Sequence, residues 1–127
     1  MSKNVIWPKE LHRPPSYSQV IKVDKTIYIA GQTATDSQGN IVGKGNIEAQ
    51  TVQVCENLKA ALAAAGAGFE NVVKVTLYIT KLENMIKMAE VRRRYFKEPY
   101  PVSTLLVISS LAHPDYLLEI DAIAVLD

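Results

Sequence analysis

Apolar residues recur along this chain with two different periods, and the switch between them marks out its elements. Val73, Val75, Leu77 and Ile79 alternate with Lys74, Thr76, Tyr78 and Thr80, the period of two of a strand with one buried face. Ile47, Thr51, Val54, Leu58, Leu62 and Ala65 recur instead at steps of three and four, with Glu48, Gln53, Glu56 and Lys59 elsewhere, which predicts an amphipathic helix. Asn46 stands where that helix needs an N-cap and Gly66 where it must stop. A second helix is expected from about Asn84 to Tyr95, with Met85, Met88, Val91 and Tyr95 on one face, and Pro99 and Pro101 prevent its continuation.

Around these lie shorter β signals. Ser18 to Val23 and Thr26 to Ala30 flank Asp24-Lys25 and read as a hairpin that Gly31 ends. Before Tyr17, Pro8, Pro14 and Pro15 interrupt the chain and argue for an irregular or edge segment. After Gly31, the stretch TATDSQGNIVGKG is turn chemistry leading into the first helix. Strands at Ser103–Ser109 and Leu117–Val125 close the order ββ-α-β-α-ββ, with a further strand at Val5–Trp7 bringing the total to about six. The segment TLLVI at 104–108 is apolar on both strand faces, so one face should meet helices and the other something else. Two helices cover one face only, and a partner subunit is expected on the second.

At 127 residues, one α+β domain spanning 1–127 is the expectation, against roughly 100–200 residues per domain. Apolar residues make up 48% of the chain, which is globular composition. Fourteen Lys and Arg against thirteen Asp and Glu leave a net charge of +1, so overall balance points to no polyanion, and nucleic acid is not an expected partner. Cys55 stands alone and makes no internal disulfide, which suits a reducing, cytoplasmic compartment. No apolar run is long enough to span a bilayer.

Candidate chemistry is sparse. Neither standard phosphate-loop spacing is present, and His12 and His113 lie in Pro-containing loops without zinc-site spacing, so they read as surface residues and no metal or cofactor is expected. Cys55 falls beside the helix's apolar stripe and reads as a packed hydrophobe rather than a nucleophile. Arg92, Arg93 and Arg94 fan around a helical turn as a solvated face, which leaves one of them free to point into a pocket. Tyr17 suits a half-buried edge. Glu119 interrupts the apolar strand LLEIDAIAV and shares a face with Asp121. Either that face is wet or paired across an interface, or the carboxylate belongs to a site.

These residues together resemble the Rid family, also called YjgF, of small enamine/imine deaminases with a chorismate-mutase-like fold. The resemblance covers nearly the whole chain and is carried by Tyr17, IYIAGQTATDSQGNIVG at 27–43, AALAAAGAGFENVVKVTLYITKLENM at 60–85, Pro101, and LLEIDAIAV at 117–125. It implies a homotrimer whose six-stranded mixed sheets, each with two helices on one face, form a central barrel, with small-molecule sites in the clefts between subunits. It also implies roles for Tyr17 as an aromatic wall, Gly31 as a close backbone approach to the ligand, and Glu119 as the acid that orients or protonates the attacking water.

Four family positions carry other residues here. Ser103 replaces the Arg that pairs with substrate carboxylate, Leu105 replaces a frequent Cys, Ala30 a Ser, and Ala89 an Asn. With the bidentate anchor missing, the sequence looks like an Arg-lacking subgroup member, in which deamination of 2-aminoacrylate is expected to be weak and Arg92 is the first cation to examine. The implied activity is hydrolytic deamination of a small enamine or imine, with the backbone around Gly31 and Leu105 supplying polar contacts. The alternatives are a non-catalytic metabolite-binding trimer and, ranked last, a ribonuclease.

Overall fold

The computed structural model describes residues 2–127. Six strands and two α-helices follow one another as β1 (Lys3–Ile6), β2 (Val20–Val23), β3 (Thr26–Gln32), α1 (Ile47–Ala64), β4 (Val72–Ile79), α2 (Met85–Arg92), β5 (Val102–Val107) and β6 (Leu118–Val125). They form one mixed sheet in the order β1-β2-β3-β6-β4-β5, in which only β4 and β5 run parallel. A parallel neighbour needs a crossover, and α2 with its flanking turns supplies it.

Each periodicity has a structural counterpart. Ile47, Thr51, Val54, Leu58 and Leu62 of α1 and its C-cap Ala65 are all buried, and the Asn46 side chain accepts a hydrogen bond of 3.0 Å from the Ala49 N–H as an N-cap. The stripe packs on the sheet side formed by Ile27, Ile29, Val75, Leu77, Ile79, Leu118, Ile120, Ala122 and Ala124. The β2–β3 hairpin turns through Asp24, which takes a left-handed φ of 52°. No helix among the described residues is long and apolar enough to cross a membrane.

Several features differ from the sequence expectation: β2 begins at Val20 rather than Ser18, β5 ends at Val107 rather than Ser109, and four others bear on the packing or the site. The first strand lies at Lys3–Ile6, because its pairing with β2 starts at Lys3 rather than Val5. In β4 the register slips between Val72 and Lys74, so Val72 enters the core and Val73 is left exposed. A strict alternation cannot anticipate such a bulge. The second helix is shorter than 84–95: a single 3-10 turn, Leu82–Asn84, precedes it and the α pattern ends at Arg92. Gly31 does not end β3 but lies inside it. Ile29 pairs with Ala122 while Gln32 pairs with Ile120, so β3 spends one extra residue over the same length of β6 and the ladder bulges at Ala30 and Gly31.

The face of the sheet away from α1 and α2 is open and partly apolar. Tyr28, Val102 and Leu106 on it are 49%, 66% and 44% exposed. Leu105, the neighbour of Leu106, instead packs against the core, so the apolar segment at 104–108 does divide between a covered and an uncovered face.

Candidate active site

Strand register separates the candidate residues into two groups. Glu119 pairs with Tyr78 across the β4–β6 ladder, which puts its side chain on the open face. Ser103 pairs with Val75, and Leu105 with Leu77, whose side chains lie in the core beneath the helices. Residues directly opposite share a face, so Ser103 and Leu105 project from the opposite side of the sheet to Glu119. One chain does not bring all of these residues into one cleft.

The first group closes a cavity of about 290 Å³ at the end of the sheet where β3 leaves and β6 begins, lined among others by Tyr17, Gly31, Thr33, Asn57, Tyr116 and Glu119. The β3 bulge positions Glu119 directly over Gly31. A methyl group built on Gly31 would lie 2.6 Å from Glu119 Cδ and 2.9 Å from Cγ, so the close approach that Gly31 permits is that of the carboxyl itself. Ala30, beside it, is held by backbone: its N–H donates to the Gln19 carbonyl at 2.8 Å, and its carbonyl accepts from Gln32 Nε2 at 3.1 Å.

The two acids of the last strand have different surroundings. Asp121 accepts a 3.0 Å hydrogen bond from the Tyr78 hydroxyl. Among the described residues, no hydrogen bond or ion pair reaches the Glu119 carboxyl. Burial, and secondarily the nearby Asp121 charge, pushes its pKa above the ordinary carboxylate value. Burial and the Glu119 charge also raise the Tyr17 hydroxyl, whose ring remains 55% exposed at the cavity mouth.

Several lining residues were not singled out from sequence. Asn57 donates from Nδ2 to the carbonyls of Thr33 and Thr35 at 3.1 and 2.9 Å, and Gln32 donates to Gln19 Oε1 at 2.7 Å. These bonds fasten the end of β3 and the segment that follows it as a polar wall. An amide at a buried helix position was the available signal for Asn57. Tyr116 bonds to Thr35 across 81 positions of sequence, and no local pattern announces it. His12 is an exposed loop residue, as its sequence context suggested, yet it also lines this cavity.

The second group forms a groove of about 330 Å³ between α2 and β5, whose lining includes Ala89, Arg92, Ser103 and Leu105. Arg92 is the member of its triplet that turns inward: it is partly buried while Arg93 and Arg94 are exposed, and its Nη1 donates to Ser103 Oγ at 3.3 Å. Cys55 is fully buried, and burial pushes its thiol up to about 12. It is packing material, not a nucleophile.

The model of the endoribonuclease L-PSP family matches residues 9–126. The chain belongs to this family, also called Rid or YjgF. Its Rid fold, chorismate-mutase-like, is shared with the solved structure of RidA from an Antarctic Psychrobacter, with a TM-score of 0.90 and 30% identity over 97% of this chain and 99% of that one. A RutC family protein of Pyrococcus abyssi is 42% identical over 125 residues, 98% of both chains. Human 2-iminobutanoate/2-iminopropanoate deaminase is 32% identical over 109 residues, 86% of this chain and 79% of that protein.

Proposed function

We propose that this Rid protein is a hydrolytic deaminase of small imines or enamines, with Glu119 as its proton-transfer group. The observation that carries the reading is the Glu119 carboxyl: without a hydrogen-bond or ion-pair partner among the described residues, partly buried, raised in pKa and laid over Gly31 in a polar cavity. A carboxyl whose pKa burial has raised takes up a proton more readily than an ordinary carboxylate, which proton exchange with an attacking water requires. The deaminase named among the relatives supports the reaction class.

Water adds through its oxygen to the imine carbon while Glu119 takes a proton from it and delivers one to the nitrogen. A second transfer by the same carboxyl moves the new hydroxyl's proton to the amine. The C–N bond then breaks, releasing ammonia and leaving a carbonyl. The sequence is redox-neutral, and proton transfer alone suffices.

The working site lies between subunits of a homotrimer. Two half-sites on opposite faces of one sheet and an uncovered apolar face are both met by copies that place one half-site against the other. Because Ser103 offers one neutral hydroxyl where an Arg would offer a bidentate charged fork, 2-aminoacrylate is a poor substrate. Steady-state assays on imines generated in situ from several amino acids test the reading. At least one imine should be turned over by the wild type, and Glu119→Gln should abolish turnover while leaving ligand affinity little changed. Full turnover in Glu119→Gln would remove this carboxyl from the mechanism.

A further inference from the structure

Gly31 has no side chain to restrict its own backbone, and it sits where the β3–β6 ladder is interrupted between Ile29 and Gln32. The Glu119 carboxyl nevertheless lies directly over it. What holds this stretch of backbone is the side chain of the next residue. Gln32 is 3% exposed, and its Nε2 reaches back across Gly31 to donate to the Ala30 carbonyl at 3.1 Å, closing a ring around the glycine. The same Nε2 donates to Gln19 Oε1 at 2.7 Å. Gln19 in turn donates from Nε2 to the His12 carbonyl at 3.2 Å, and its backbone carbonyl accepts the Ala30 N–H at 2.8 Å. The carbonyls of Ala30 and His12 can only accept, so each amide must turn its NH2 toward one of them, which leaves the Gln19 oxygen for Gln32. The segment tied in this way, 12–19, carries Tyr17.

We propose that Gln32 is a positioning residue of the candidate site: its amide spans Gly31, fixes the bulge on which the Glu119 carboxyl rests, and joins that bulge to the segment that carries Tyr17. Methionine has the length of glutamine without its donors, and asparagine has the donors with one methylene less reach. With either, the Ala30 carbonyl and the Gln19 oxygen lose their partner, Gly31 regains its conformational freedom, and the carboxyl leaves its seat toward water. The effect on turnover rests on the deaminase reading. The seating of the carboxyl does not.

The test pairs an NMR titration of the side-chain carboxyls, in full-length protein labelled at glutamate, with steady-state kinetics on the best imine substrate. Loss of one signal in Glu119→Gln identifies Glu119. In Gln32→Met the Glu119 midpoint should fall from its raised value toward that of an ordinary carboxylate, and kcat should fall by about 10- to 100-fold with little change in KM. The titratable groups around this carboxyl, Asp121 and Tyr78 on the sheet and His12, Tyr17 and Tyr116 in the cavity wall, all remain in the variant, so the shift reports the carboxyl's place and not a lost charge. Gln19→Met cuts the tie to the Tyr17 segment but leaves the bond across Gly31, and should keep the wild-type titration and kcat while raising KM. Gln38→Met, the same exchange at an exposed position, should match the wild type. Circular dichroism checks folding, and if Gln32→Met does not fold, Gln32→Asn carries the same expectation.

An unchanged Glu119 titration in folded Gln32→Met or Gln32→Asn overturns the proposal, whatever imines are turned over. A shifted titration with wild-type kcat overturns it too, as does a shift in Gln19→Met as large as that in Gln32→Met. A titration shifted by the Gln32 variant alone, in a protein that hydrolyses no imine, upholds the seating by Gln32 and removes only the deaminase reading.

Discussion

Gly31→Ala separates the position of the Glu119 carboxyl from the stability of the fold. Gly31 has no left-handed φ, so alanine is not strained in its backbone, and the smaller entropy of the unfolded alanine chain favours folding by about 0.4 to 1 kcal/mol. The obstruction is local. The new methyl would sit 2.6 Å from Glu119 Cδ and closer still to Oε2, whereas ordinary van der Waals contact begins at 3.4 Å, so the carboxyl must retreat by roughly 1 Å. The atom in the way is the end of a flexible side chain, which swings aside at little cost to stability. A reacting group moved by about 1 Å loses on the order of 100-fold in rate. The expected outcome is a melting temperature within a few degrees of the wild type together with a roughly 100-fold fall in kcat for the best imine substrate. Steady-state kinetics beside thermal unfolding on the same preparation read both. Wild-type turnover in a folded Gly31→Ala protein would refute the geometry, because the carboxyl would then be working from a different place.

The stability of the fold should also report the burial of Glu119. Its folded-state pKa is raised by desolvation, so the stability tied to its neutral form is complete below the ordinary carboxylate pKa and is lost as pH rises through the folded value. Glu119→Gln stays neutral throughout, and its melting temperature should exceed the wild type's by a margin that grows from acid to neutral pH; a margin independent of pH would contradict the burial argument. Leu106→Glu places a charge on the open face, where Leu106 is 44% exposed in the single chain, and should convert a trimer to monomers in light scattering without loss of circular dichroism. A wild-type monomer at micromolar concentration, or an unaltered trimer in the variant, would leave that face without a partner.

Local periodicity was enough for most elements. The α1 stripe from Ile47 to Ala65, the Asn46 cap and the β6 alternation all depend on residues within a few positions of one another, and a helix or strand that buries one face needs no more information than that. The interruption of β6 by Glu119 was legible for the same reason, since a carboxylate among core positions stands out along the chain itself. What depended on partners far away in sequence was not legible. The Val72–Lys74 slip and the bulge at Gly31 arise from how β4 and β3 each pair with β6, and the Gly31 contact with Glu119 spans that ladder. Arg92 stood in the sequence as one of three equal arginines. Only the packing of α2 over β5 turned it toward Ser103, with Arg93 exposed at the rim of the same groove and Arg94 in water. The division of the candidate residues between two faces has the same origin: period two assigns alternate residues to alternate faces, but which face is covered is decided by the sheet order and by what packs on the sheet.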